Sequence, residues 1–303
     1  MAATGILSFC EQFYTVDLAI SYLRERNILR RDPPPCTRND CNRLMTQVKC
    51  SAVVDGVTWR CPRHKGSKKS IRTDSFVAKS NLQLHQFILL MYTWALSIPP
   101  QTQEILCGLT KKTVVEWNQF FRGVCSWWLT CNPVQLGGPN QIVEIESLIF
   151  KQKYNRGHMV PKRWVFGLYD VEAKIGVAEF VEDRSREILL PIIERYVTPG
   201  SIIHSDCWAA YGKGAISALP VVPPYEHVSV NSSENFVDPE TGACTNRVKA
   251  FWKAMKMKLK AINSTTAEML PSYMDEFMWR QQFGKNTEEA YENLITHITM
   301  MLP

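Results

Sequence analysis

Apolar positions along this chain follow two different periods, and the change from one to the other divides it. From Thr113 to Trp128 the residues Val114, Trp117, Phe121, Val124 and Trp128 recur three to four apart, which predicts an amphipathic helix. Thr113 with Glu116 fits a capping box at its start. Helical spacing also runs from Phe9 to Arg26, from Leu82 to Ala95 and from Gln103 to Cys107, with Gly108-Leu109-Thr110 turning the last into the Thr113 helix. Beyond Gly137-Gly138-Pro139-Asn140, a domain boundary by its turn residues, the period changes to two. Gln141 to Phe150 alternates Val143, Glu144, Ile145 and Glu146, which predicts a strand with both glutamates on one face. Trp164 to Tyr169 and Ile175 to Val181 predict two more strands around a turn at Asp170 to Lys174. Asp183-Arg184-Ser185 opens a helix that runs to Val197, Pro199-Gly200 ends it, and Ser201 to Ser205 is a short strand with Asp206 at its carboxyl end. The last strongly patterned helix, Arg247 to Lys260, places Val248, Met255 and Leu259 on one face and Lys249, Lys253, Lys256 and Lys260 on another.

Three strands in a hairpin run, a helix, then a strand ending in an acid is the order of a ribonuclease H-like core. The expected fold is therefore α+β: an N-terminal zinc ribbon and a helical, helix-turn-helix-like region, followed by that core. Four segments are expected: a helical lead with a basic module (1–79), a helical region (80–136), the core (141–284) and a helical tail (285–303).

Length and composition exclude several classes. The chain has 303 residues, 45% of them hydrophobic, so disorder is not expected. No apolar run is long enough for a membrane span, and Met1 to Phe9 has neither a charged n-region nor a cleavage site, so a soluble intracellular protein is expected. Ten cysteines scattered through such a chain favour reduced thiols and one metal site over a disulfide framework. Charge is uneven. Arg24 to Arg72 holds 13 Lys and Arg against 4 acids, an excess of nine in a chain whose net charge is +6, which favours a polyanionic partner.

Within that basic block, Cys36 and Cys41 form one close pair and Cys61 and His64 another, separated by a predicted hairpin through Val53 to Trp59. Two such pairs can place a tetrahedron of soft and borderline ligands around structural zinc, with Cys50 as a spare. Lys65, Lys68, Lys69 and Arg72 follow directly, and Lys111 and Lys112 open the second helix of the helix-turn-helix segment, where recognition helices meet phosphates. These residues, with Lys253, Lys256 and Lys260, are the expected DNA contacts. The helical hairpin is equally readable as plain scaffold, because Trp117, Phe121 and Trp128 suit a core.

Several motifs, taken in order, carry a family likeness. They are Trp59-Arg60-Cys61, Ser70-Ile71-Arg72-Thr73-Asp74-Ser75-Phe76, Val143-Glu144-Ile145 with Lys153-Tyr154-Asn155-Arg156-Gly157, Trp164-Val165-Phe166-Gly167, Glu182-Asp183-Arg184-Ser185, Ser205-Asp206-Cys207-Trp208-Ala209-Ala210-Tyr211, the segment Asn235 to Gly242, and Phe277-Met278-Trp279-Arg280. The chain resembles transposases of the Merlin superfamily and their bacterial insertion-sequence relatives. That resemblance implies a zinc ribbon and DNA-binding helices joined to a ribonuclease H-like core with an Asp, Asp, Glu triad and magnesium. It also implies possible homodimerisation and, the family being eukaryotic, residence in the nucleus.

Carried over residue by residue, Asp206 keeps the second triad acid. The family's first strand reads Val-Glu-Ile-Asp-Glu-Ser, and Val143 to Ser147 is one residue short of it. Aligned from the left, Glu146 replaces the Asp; aligned from the right, the Asp is deleted. The third acid falls at Lys249, and an ammonium cannot hold a divalent cation. The leading expectation is a transposase-derived DNA-binding protein, recruited by its host, that has lost magnesium and catalysis. One rival is a divergent active transposase that recruits Glu234, Asp238 or Glu240, and another is a protein-interaction scaffold without DNA binding.

Overall fold

The computed structural model describes residues 5–150, 163–212, 214–231, 234, 236–262 and 268–301. Lys153 to Gly157 and Asn235, both within the quoted motifs, lie outside the described residues. The chain forms two compact units, Met1–Val124 with Phe283–Pro303, and Cys125–Gln282.

In the first unit the helical lead is two helices, α1 (Ile6–Glu11) and α2 (Val16–Glu25). The break falls where Thr15 turns extended and its hydroxyl accepts from the Leu18 N–H, an N-cap that restarts the helix. A small antiparallel sheet follows, with β1 (Thr46–Lys49), β2 (Val57–Arg60) and β3 (Lys68–Ser70) in sequential order. The Cys50 N–H donates to the Gly56 carbonyl and closes the β1–β2 connection, with Gly56 at φ 65°. Then come α3 (Leu84–Ala95), α4 (Pro100–Cys107) and α5 (Lys111–Cys131), of which the part up to Val124 belongs to this unit. Gly108 stops α4 in the left-handed conformation.

The turn into α5 differs from the expected capping box. Thr110, not Thr113, accepts from the Thr113 N–H, and Glu116 faces Lys112 at 3.9 Å instead of reaching back. The period was right where the cap was wrong: Val114, Trp117, Phe121 and Val124 are all buried. The C-terminal helix α9 (Thr287–Met301), expected as a separate tail, is built into this unit. Its Tyr291 hydroxyl lies 2.8 Å from that of Tyr22, and its Ala290, Leu294 and Ile298 are buried.

The second unit is a five-stranded mixed sheet with helices. Its strands are β4 (Ile142–Phe150), β5 (Arg163–Asp170), β6 (Ile175–Val181), β7 (Ile202–Asp206) and β8 (Glu226–Val230), in spatial order β6-β5-β4-β7-β8. β4, β5 and β6 are antiparallel neighbours, whereas β7 runs parallel to β4 and β8 parallel to β7. A hairpin triplet flanked by two parallel strands is the ribonuclease H-like arrangement. The strand β8 has no counterpart in the sequence pattern, because Glu226 to Val230 shows no full alternation and follows Pro220, Pro223 and Pro224. α6 (Arg186–Tyr196) joins β6 to β7, and α7 (Asn246–Ala261) and α8 (Leu270–Phe283) follow β8. The core gathers Val143, Ile145, Phe166, Leu168, Ile193, Ile203, Val248, Phe251, Trp252 and Met255. No helix of the described residues is long and apolar enough to cross a membrane.

Candidate functional site

The two cysteine pairs converge. Among the described residues, Cys36, Cys41, Cys61 and His64 are the group of His, Cys, Asp or Glu side chains that gathers around one point, with ligand atoms within 4.8 Å of one another. Cys41 Sγ lies 3.9 Å from Cys61 Sγ, and Cys36 Sγ lies 3.8 Å from His64 Nδ1. A tetrahedron with Zn–S bonds of about 2.3 Å has sulfur atoms about 3.8 Å apart, so the donor set fits zinc in both chemistry and spacing. Short turns make the pairs: the Cys41 N–H donates to the Arg38 carbonyl, and the His64 N–H points at Cys61 Sγ across 3.4 Å. The Arg38 N–H, then the Ser67 hydroxyl, lower the Cys36 thiol to about 6, which suits a thiolate ligand. Cys50 stands outside this group.

Of the basic residues after it, Lys65 and Lys68 are exposed and Lys69 half-buried. Arg72 is different. It is 3% exposed, its Nε and Nη2 donate to the Asp55 carboxylate at 2.7 and 2.5 Å, and its remaining donors reach the Ser80 and Leu82 carbonyls. Arg72 is a buried strut that fastens the small sheet to the following loop, and it is withdrawn from the set of DNA contacts. Its place in a run of cations gave no sign of this, because its partner Asp55 is 17 residues away. Lys111 and Lys112 are exposed at the start of α5.

In the second unit the acid positions are set by sheet register. Glu144 pairs with His204 across the parallel β4–β7 ladder, so two residues on, Glu146 in the middle of β4 and Asp206 at the end of β7 come near each other. Glu146 also pairs with Gly167 of β5, and the space a Gly167 side chain would need is filled by the Trp252 ring of α7. Glu146 therefore faces α7. There it lines a cleft of about 640 Å³ with Leu148, Lys249, Lys253, Lys256 and Lys260. Burial pushes the Glu146 carboxyl up to about 7; Lys249 and Lys256 oppose the rise, and Asp206 and Glu144 add to it. Asp206 itself accepts the Trp208 N–H at 3.3 Å.

Two carboxylates and an ammonium do not make a two-magnesium site, which needs several oxygen ligands in near-octahedral geometry around each ion. Asp238 accepts from the Glu240 and Thr241 N–H groups and the Thr241 hydroxyl, and Glu234 and Glu240 are exposed.

One functional carboxylate escaped the sequence reading. Glu144 is fully buried and caps α7: its Oε2 accepts the Arg247 N–H at 2.7 Å and the Val248 N–H at 2.9 Å, and the Arg247 guanidinium is 3.5 Å from Oε1. The residue at the N-cap position, Thr245, makes no side-chain cap, so a strand carboxylate about a hundred residues away does that work. The alternation that put both glutamates on one face was the available signal. Arg184 was also missed: it stacks between the Trp164 and Trp208 rings at 4.0 and 3.6 Å, and the Trp208 indole N–H donates to its carbonyl, joining three of the quoted motifs. Farther along α7, Lys258 and Arg280 of α8 both reach the buried Glu276, at 3.1 and 2.7 Å. Burial pushes Glu276 up, but these two cations hold it below its ordinary value.

Residues 140–282 match the model of the ISXO2-like transposase domain. An uncharacterized transposase-like protein of Haemophilus influenzae is 30% identical over 92 residues, which are 30% of this chain and 68% of that protein. Among solved structures, the dimeric form of the HTLV-2 integrase catalytic core domain in complex with magnesium aligns with a TM-score of 0.34 and 14% identity, covering 50% of this chain and 97% of that one. The BIV integrase catalytic core domain aligns with a TM-score of 0.31 and 13% identity, over 44% of this chain and 80% of that one.

Proposed function

Since the chain belongs to the family of transposases that carry an ISXO2-like domain, we propose that it is a DNA-binding derivative without strand-cleaving activity, descended from a Merlin-type element and retained by its host. The observation that carries this reading is Lys249 in the cleft beside Glu146, where a catalytic core of this kind would place its third carboxylate. An ammonium there repels divalent cations and has no lone pair to offer them, so the position is adverse to metal twice over. Glu146 in place of Asp adds a methylene to the other degenerate position, which magnesium tolerates poorly. The parts that would bind without cutting are present: the Cys3His module suited to zinc, the exposed Lys65 and Lys68 and the half-buried Lys69 beside it, the Lys111 and Lys112 pair opening α5, and the α7 lysines. Zinc in the Cys3His module would supply folding energy and no catalysis. A DNA partner in turn favours residence in the nucleus.

Calorimetric titration of magnesium and manganese tests the reading. The native chain is expected to give no site-specific heat, and the Glu146→Asp/Lys249→Glu double variant is expected to take up ions. Magnesium-dependent DNA cleavage by the native chain that disappears in Asp206→Ala would overturn it.

A further inference from the structure

The cleft that lost its metal chemistry has a positive lining of its own. Lys249, Lys253, Lys256 and Lys260 recur along one face of α7 and line it together, with Leu148, Trp252 and Met257 as apolar wall and Glu146 as the one acid of the lining. Lys258, on another face of the helix, is neutralised by Glu276. Lys253, Lys256 and Lys260 are exposed and have no carboxylate partner among the described residues. From Lys249 to Lys260 the helix rises about 16 Å, at 1.5 Å per residue. One DNA strand places a phosphate every 3.4 Å of stacked length, and farther apart when extended, so the row spans about five phosphate spacings of a stacked strand and fewer of an extended one.

Resting on the DNA-binding reading above, we propose that the α7 cleft is a phosphodiester receptor that holds a single DNA strand without divalent ions, its lysine row replacing the metals of an active core. In a two-metal site the cations neutralise the phosphate under attack. Here ammonium groups supply that charge permanently, and they have no Lewis-acid role with which to activate water. The apolar wall agrees with a single strand, whose unpaired bases need apolar surface; exposed Met257 lies beside the lysine heads to provide it. The near-neutral ionisation of Glu146 agrees too, since its proton removes the one negative charge of the lining.

The test is fluorescence anisotropy of a labelled oligothymidylate strand with the full chain. The buffer contains no divalent ions and no chelator, so the metal of the Cys3His module is kept. The native chain is expected to bind, with added magnesium only weakening binding through competition. The triple variant Lys253→Ala/Lys256→Ala/Lys260→Ala should bind at least tenfold more weakly at low salt, and its log–log salt slope should flatten by about two, at about 0.7 per phosphate contact. The matching Lys→Arg triple variant, with charge preserved, should keep the native slope. Glu146→Asp/Lys249→Glu should weaken binding, and magnesium should restore it. A native chain that needs magnesium, or that binds only the duplex of the same sequence, overturns the proposal. If the alanine triple variant keeps the native slope while Lys65→Ala/Lys68→Ala/Lys69→Ala loses it, the cleft proposal fails and the DNA-binding reading stands. If the native chain binds no DNA, both fail.

Discussion

Glu146 shows how opposing neighbours set the ionisation of a single residue. Burial and the neighbouring Asp206 push its carboxyl toward protonation, and Lys249 and Lys256 pull it the other way, leaving it near 7. An acid raised in the folded state binds protons there that the unfolded chain has already released. Between the unfolded value near 4.5 and the folded value near 7, the folded state holds more protons, so stability falls as pH rises through that window. Glu146→Gln removes the cost. It should leave the melting temperature unchanged at pH 4 and raise stability at pH 8 by about 1 kcal/mol, a figure discounted for the partial exposure of the carboxyl. Thermal melts of both chains across pH 4 to 8 check this. Parallel pH profiles would mean that Glu146 ionises as freely as in the unfolded chain.

At the scale of elements, α7 is seated by residues whose importance lies in what they lack or whom they reach. Gly167 leaves room for the Trp252 ring and Gly176 for the Phe251 ring, so the helix packs directly onto β5 and β6. Neither glycine has positive φ, so alanine suits the backbone and the clash is with the rings alone. Gly167→Ala is therefore expected to destabilise the chain by about 1–3 kcal/mol through overpacking. Adding Trp252→Leu should recover part of that loss, a coupling that denaturant melts of the two single variants and the double one measure. Additive losses would mean that the ring does not press on β5. This seat also marks where the sequence stopped being legible. Strands β4 to β7 and helix α7 could be read because alternation and helical period are local, and so could the gathering of Cys36, Cys41, Cys61 and His64, whose members sit in close pairs. Glu144 as the cap of α7, Asp55 as the partner of Arg72 and the strand β8 could not, because each depends on a partner that only the folded chain brings near.

At the scale of the whole molecule, the small sheet of the first unit is held differently from the second unit. The second has a five-stranded sheet and an extensive apolar core, enough to hold its fold by burial. In the first, the small sheet has strands of four, four and three residues. Such short strands are not stable alone, and the buried thiols of Cys36, Cys41 and Cys61 sit where a larger domain would place a core. If zinc joins the Cys3His group, its binding energy takes the place of that missing burial. Removing the metal with a strong chelator should then raise amide hydrogen exchange across residues 34–72 by several orders of magnitude while β4 to β8 keep their protection. Elemental analysis before and after fixes the zinc content at one per chain and then none. Full protection of 34–72 in metal-free protein would show instead that the Arg72–Asp55 strut and the apolar contacts of Met45, Trp59 and Ile71 hold the module unaided. The cluster would then be a set of buried thiols rather than the module's folding centre.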